Sequence, residues 1–351
     1  PVSDSDLSTL ASLSGGWITG LKLAAFQLPR VGDVETYGAL LHGRNQWIAR
    51  YFVSEFLLHQ PPLLQVFLLE TSILDQLSAP LCTAVTGQAD AGDLLQQAVD
   101  GGFFLRPIDG TGARFTYHDL FRELLAAELG RRCPPQQIAQ LRQRAAVWLE
   151  ENGEIGAALR HYLAADLAAG AVALLERYCL PTILRGDLER ARRWLAQLRE
   201  RGIEPSARLI LDRGWLYSMA DRMDTLQLLQ ATQAAWERLI AKEEDAEELQ
   251  LERDLQLAGA HHLAGNHQEA LSRSAQLAGR MSPGSHVFIR GLLHFLQTTL
   301  KRARLEEARE HGRKALSIFE EHGWVTGATS VLRALSLVAR KSGDAQDALR
   351  K

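Results

Sequence analysis

The sequence predicts a mainly all-α chain in two parts: a helical module with one short β-hairpin, then a long run of paired helices. Three observations carry this expectation. Leu and Ala dominate while Pro is sparse, 11 of 351 residues, a balance that favours helix. One stretch, FFLRPIDGTGARFTYHD (103–119), offers two short strands around Asp109-Gly110, a dipeptide suited to a hairpin turn. From about residue 135 onwards a small residue ends one helix, and another small residue recurs five positions later in the next.

In chain order, residues 4–28 carry a helical pattern, with Trp17, Leu21, Ala24, Ala25 and Leu28 at helical spacing. Pro29 to Gly43 reads as a connection. A helix from about Gln46 to His59 follows, and Pro61-Pro62 separates it from another over Leu63–Thr71. Two short helices are expected at roughly 78–86 and 92–101. After the hairpin, Leu120, Phe121, Leu124 and Leu125 share one side of a helix for which Asp119 is the expected N-cap. Helices, a two-stranded wing and a closing helix make a winged-helix arrangement. The helix before the wing, DLLQQAVD, is acidic and lacks arginine, which argues against DNA binding by this module. The expected domains are 1–43, a helical end of a preceding module, 44–132, the winged helix, and 133–351, the helix-pair array.

The recurring pairs are Gly153/Ala158, Gly186/Ala191, Ala220/Thr225, Gly265/Ala270, Ala303/Ala308 and Gly343/Ala348, at intervals of 33, 34, 45, 38 and 40 residues. This is the range of helix-turn-helix repeats of the tetratricopeptide type and its longer relatives, which stack into a superhelix. A small side chain near the turn lets two antiparallel helices approach closely. Leu188, Ala191, Leu195 and Leu198 form one apolar face, and Ala308, Ala315, Leu316 and Phe319 another. The acidic segment 241–254 reads as a solvated helix start, its carboxylates suited to the helix dipole.

A net charge of −3 gives no basic face for nucleic acid. Cys82, Cys133 and Cys179 are odd in number and lack metal spacing, which suits buried thiols in a reducing cytoplasm. The richest apolar stretch, LLQVFLLETSIL, is broken by Gln65 and Glu70, so no membrane span is expected. No signal peptide opens the chain, and its start at Pro1 reads as a cut from something longer.

Catalytic arrangements are thin. A phosphate-cradling loop needs Gly-Lys-Ser/Thr, and none of the six lysines (Lys22, Lys242, Lys301, Lys314, Lys341, Lys351) sits in one. His261, His262 and His267 lack a carboxylate or Cys at ligand spacing, and His311 and His322 lie three turns apart, so no metal site is expected. No catalytic residue is assigned and no enzyme is expected. Binding is the better prospect, because the first helix of each pair usually lines the groove of such an array. That points to Arg213, Trp215, Tyr217, Asp254 and His261, whose mix of aromatic and charged side chains suits sugars or other polar molecules. The plainer alternative is that Trp215 and Tyr217 pack between helices. His118 likewise either packs beside its helix or uses the helix N-terminus to meet an anion.

The segment Tyr117-His118-Asp119-Leu120-Phe121-Arg122 resembles the Tyr-His-x-Leu-Phe-Arg signature of the MalT-like regulators, large ATP-binding members of the LuxR group of bacterial transcription activators. It is also similar to the Met-His-Asp motif of related plant and animal switch (STAND) ATPases. GGWITGLKLAA (15–25) resembles the family's Gly-Trp-x-x-Gly-Leu-x-Leu-Ala helix. FLLETSILDQLSAPLCTAVTG (67–87) is similar to its Phe-Leu-x-x-Thr-Ser-x-Leu segment and Leu-Cys helix. The resemblance implies a central fragment of such a regulator, with ATP or ADP held by an upstream core and only His118 of this chain reaching the nucleotide. It implies that no cofactor is bound by this stretch alone, and that DNA is bound only through a missing C-terminal helix-turn-helix. It further implies a small-molecule inducer or regulatory protein in the repeat groove, self-association in the active form, and a fragment that by itself binds neither ATP nor DNA. A repeat scaffold for a protein partner, without a nucleotide switch, is the alternative. An enzyme with a repeat accessory domain would need a catalytic constellation that the sequence lacks.

Overall fold

The computed structural model describes residues 57–220, 225–241, 243, 246–281, 286–301 and 304–341. The expectations for 4–28, for 29–43, for the start of the 46–59 helix and for the Gly343/Ala348 pair lie outside them. The described residues are mainly helical, with one two-stranded sheet, as expected. They fall into two compact units that divide between Leu167 and Ala168.

In the first unit a 3-10 turn at Leu57–His59 leads into α1 (Pro62–Thr71), whose Pro62 occupies the first helical turn, where its missing N–H costs nothing. Next come α2 (Ala79–Thr86), capped by Ser78 and closed by the left-handed Gly87, and α3 (Ala91–Asp100). Strands β1 (Leu105–Pro107) and β2 (Phe115–Tyr117) pair antiparallel, with Leu105 opposite Tyr117 and Pro107 opposite Phe115. The turn is longer than a two-residue Asp-Gly hairpin. Asp109 Oδ1 accepts the Ala113 N–H at 3.1 Å, and Gly112 takes φ +66°. Leu77 bridges to Phe115 on the other side, adding a third, one-residue rung. Helix α4 (Asp119–Arg132) closes the winged helix, burying Leu120, Phe121, Leu124 and Leu125 on the expected side. His118, not Asp119, takes the N-cap position; Asp119 is the first helical residue, where its charge still favours the dipole. The hairpin α5 (Pro135–Glu151) and α6 (Ile155–Ala164) packs back on α2, so these helices belong to the first unit although their small-residue turn resembles those that follow.

The second unit is a series of helix pairs: α7 (Ala168–Leu184) with α8 (Leu188–Glu200), α9 (Ala207–Met219) with α10 (Thr225–Ala231) and α11 (Gln233–Ile240), α12 (Ala246–Leu263) with α13 (His267–Arg280), and α14 (Val287–Leu300) with α15 (Leu305–Glu321). A last helix, α16 (Val325–Lys341), follows. The first helices of successive pairs pack side by side, and the start of α16 returns to the end of α7. A Cβ at Gly186 would lie 3.1 Å from Thr326 Oγ1.

The spacing pairs now have a geometric meaning. Gly153, Gly186 and Gly265 adopt φ of +77°, +87° and +81°, a backbone that side chains resist. Ala158, Ala191, Ala270 and Ala308 are completely buried where the next helix starts. The structure departs from the sequence expectation in two places. The second helix of the 207–240 pair is broken at Thr232 into α10 and α11. The run 241–254 starts solvated, with Glu247 and Glu248 exposed in the first turn of α12, but it does not stay so: Leu251, Glu252 and Arg253 are buried within the helix.

Candidate functional site

In the winged helix the signature residues divide the work. Tyr117 is fully buried and its hydroxyl lies 2.8 Å from Thr71 Oγ1, so two of the motif segments meet in the core. Thr71 also donates to the Phe67 carbonyl at 2.7 Å, which locks it against α1. Phe121 stacks at a tilt against Phe104 and Tyr117, with centroids 5.1 and 5.6 Å apart. Arg122 reaches Asp75 at 2.7 Å, and Asp75 also receives Arg160 at 3.2 Å. His118 is left half-buried at the head of α4, its N–H donating to the Phe104 carbonyl at 2.8 Å and its own carbonyl accepting the Arg122 N–H at 2.9 Å. The imidazole is therefore carried by a fixed backbone at the positive end of a helix.

Behind Asp75 a small cavity opens between residues 74–81 and the α5–α6 hairpin, walled by Trp148 and Arg160 and reached by His161. His161 is 6% exposed, and its Nδ1 has no hydrogen-bond partner among the described residues. Burial, and then the Arg142 guanidinium, push its imidazole down to about 4. In the unfolded chain the ring titrates near 6.5, so the unfolded state binds more protons between those values, and stability is lost as pH falls through that window. The loss is expected to reach at most about 3 kcal/mol. Thermal unfolding across pH 7 to 4 should show it, and His161→Gln should flatten that slope.

The five groove residues expected in the second unit do not form one site. Arg213 and Tyr217 lie one turn apart on α9, half-buried, with Arg199 of α8 close enough to lower the Arg213 pKa after burial has done so. Trp215, expected in a groove, points the other way into the interior. It is 6% exposed, donates its indole N–H to Glu252 and meets Phe288 edge-on at 5.6 Å. Asp254 and His261 come together in a cleft of about 520 Å³ between α10–α11 and α13, with α12 as its floor. Gln230, Gln233, Gln250, Arg253 and Arg273 complete its polar wall. The Asp254 carboxylate is already engaged, accepting from Gln250 at 2.9 Å and Arg280 at 2.6 Å.

Sequence reasoning missed the polar centre of this unit. Arg208 donates to Asp212 at 2.9 Å and to both oxygens of Glu252 at 2.7 and 2.5 Å. Asp212 is fully buried, and its carboxyl is pushed up to about 7 by that burial against the opposing pull of Arg208. The Cys179 thiol, itself raised by burial, lies close to the same carboxyl. The one signal available was the i, i+4 spacing of Arg208 and Asp212. Nothing local announced Glu252, 44 residues on. His294 and His311 also meet unannounced, Nδ1 to Nδ1 at 3.1 Å, from α14 and α15. Among the described residues no three His, Cys, Asp or Glu side chains gather as metal ligands, and no helix is long and apolar enough to cross a membrane.

Fold and signature together define a winged-helix module followed by a helix-pair array. Residues 53–137 match the MalT winged helix domain family, the family that the Tyr117–Arg122 segment resembles. The serine/threonine-protein kinase PknK of Mycobacterium tuberculosis is 31% identical over 172 residues, which cover 49% of this chain and 15% of that protein. The HTH-type transcriptional regulator MalT of Vibrio cholerae is 27% identical over 222 residues, 62% of this chain and 24% of that protein. The chain thus spans a quarter or less of the length of these curated relatives.

Proposed function

We propose that this chain is the coupling and sensing portion of a MalT-like, ATP-dependent transcription regulator. The first unit carries nucleotide state through His118, and the second takes an inducer or regulatory protein. The observation that carries the proposal is the position of His118. Its signature neighbours Tyr117, Leu120 and Phe121 are spent on packing and Arg122 on an ion pair. His118 stands half-buried at a helix N-terminus, where phosphate oxygens are favoured. Such a place fits one contact to a bound nucleotide and no more, since the chain has no Gly-Lys-Ser/Thr loop to cradle phosphates. ADP, when bound to the regulator's ATPase core, supplies the phosphate that His118 would hold. The histidine's own task is to tie the winged helix to that core in one state and release it in the other.

Binding in the second unit would act on the same balance by favouring the arrangement that self-associates and activates transcription. Asp254 and His261, sharing one polar cleft, are the better placed of the expected ligand residues, and Arg213 with Tyr217 form a second surface. A scaffold role without nucleotide switching would leave the histidine signature without a purpose.

A charge-assisted contact is worth roughly 1.5–3 kcal/mol, so His118→Ala in the complete regulator should raise inducer-free transcription roughly tenfold to a hundredfold. A reporter assay paired with an ADP titration tests this. Unchanged basal transcription together with unchanged ADP affinity would remove His118 from the switch.

A further inference from the structure

We infer that the cleft floored by Arg253 binds a small molecule through an anionic group, a carboxylate or a phosphate. The inference rests on the sensing role proposed for the second unit and adds to it the site and the ligand chemistry.

Arg253 is 1% exposed. One of its terminal nitrogens, Nη2, donates to the Leu229 carbonyl at 2.5 Å and to Thr232 Oγ1 at 3.1 Å. The guanidinium lies 5.3 Å from the centre of the Trp236 ring. Those contacts give the group one fixed position, and they account for a single nitrogen. Nε and Nη1 have no hydrogen-bond partner among the described residues. A buried cation normally meets a carboxylate, because an uncompensated charge and unmade donors are both costly. Here the adjacent carboxylate, Asp254, turns to Gln250 and Arg280 instead. Among the described residues this cation has a rigid seat and no carboxylate hydrogen-bonded to it.

Asp254 also lines the cleft, but its carboxylate is held by Gln250 and Arg280, which leaves the cations of the wall to meet an incoming anion. Arg273 brings a second positive charge to the wall, and its partner Glu269 is not part of the lining. Gln230, Gln233 and His261 add neutral groups able to bond the hydroxyl or amide portion of a ligand. A volume near 520 Å³ is that of a small-metabolite site. Nε and Nη1 each flank the engaged Nη2 and share no edge, so each offers a single charge-assisted N–H to an oxygen of a carboxylate or phosphate.

The test is thermal unfolding of the whole chain titrated with inorganic phosphate, citrate or glucose, each against sodium chloride at equal ionic strength. A ligand that binds the native state raises the midpoint in a saturable way. Phosphate or citrate should do so beyond the chloride control, and whichever of the two saturates assigns the anion. Gln230→Glu places an internal carboxylate on the exposed wall of the cleft. It should keep the ligand-free midpoint at or above the parent value while weakening half-saturation by about tenfold or more. Arg253→Met should abolish the shift, and where that variant fails to fold, Gln230→Glu carries the test alone. The inference is overturned if neither anion shifts the midpoint beyond chloride, or if Gln230→Glu leaves the shift unchanged. Stabilisation by glucose alone would overturn it while leaving the sensing role intact.

Discussion

Arg208→Met is expected to lower the stability of the second unit by about 3–5 kcal/mol, one of the two largest effects of any single change considered for this chain. The methionine nearly fills the space, so the loss is electrostatic. Glu252 would retain the Trp215 indole N–H but lose both guanidinium bonds, and Asp212 would lose the opposing charge that limits its own protonation. Two carboxyls would be stranded where water cannot reach them. The network as a whole need not be stabilising, since replacing a complete buried ionic set with apolar groups is often neutral or favourable. The triple change Arg208→Met, Asp212→Leu, Glu252→Met should therefore recover most of the loss in chemical denaturation. A triple variant as unstable as the single one would assign the cost to packing instead. The pH dependence has a definite sign. A carboxyl raised to about 7 binds its proton more tightly folded than unfolded, so its contribution is fullest below about 4 and is lost as pH rises through 7. Arg208→Met raises that carboxyl further, so the gap between variant and parent should narrow in acid and widen above neutrality.

The residues in this network explain why part of the molecule was legible in sequence and part was not. Small residues at helix turns speak locally. Gly153, Gly186 and Gly265 are required by a left-handed backbone, and Ala158, Ala191 and Ala270 by close approach of the following helix, so their spacing carried the architecture. The winged helix was equally readable, because Thr71 and Tyr117 belong to separate motif segments that meet as one hydrogen bond. Polar residues inside a helix array have no such local mark. Glu252 and Arg253 stand in an acidic, charge-rich run that reads as solvated, and only the tertiary partners Arg208, Leu229 and Trp236 reveal them as interior. The break at Thr232 has the same origin. The sequence TLQLLQATQAAWERL is helical throughout, yet Thr232 Oγ1 and Arg253 both engage the Leu229 carbonyl and interrupt the ladder there. His118 lies between these cases: its motif marked it, but motif alone did not separate Tyr117 and Phe121, which are fully buried, from the half-buried histidine between them.

Phe319→Ala should cost the second unit about 3–5 kcal/mol, matching the first effect by a different mechanism. The ring is 1% exposed and clamped between two glycines of neighbouring helices. A Cβ at Gly291 on α14 would lie 2.6 Å from Phe319 Cε1 and 3.0 Å from Ile318 Cγ2, while one at Gly327 on α16 would lie 2.8 Å from Phe319 Cδ2. Both glycines sit inside helices, where alanine would otherwise be favoured by about 1 kcal/mol. Their presence is therefore a packing requirement set by one ring, and not a demand of the backbone. The ring in turn leans on Trp324 at 5.7 Å, which meets Phe288 edge-on at 5.1 Å, so α14, α15 and α16 share a single aromatic seam. Gly291→Ala alone should destabilise by about 1–3 kcal/mol through overpacking, less the propensity gain. In a Phe319→Leu background, whose side chain lacks the Cε1 edge, the same substitution should become close to neutral. The coupling between the two sites should then be about 0.5–3 kcal/mol in a double-mutant cycle followed by urea unfolding. Strictly additive losses would mean that the helices separate to admit the methyl group, and that the glycines are not what holds α14 and α16 against the ring.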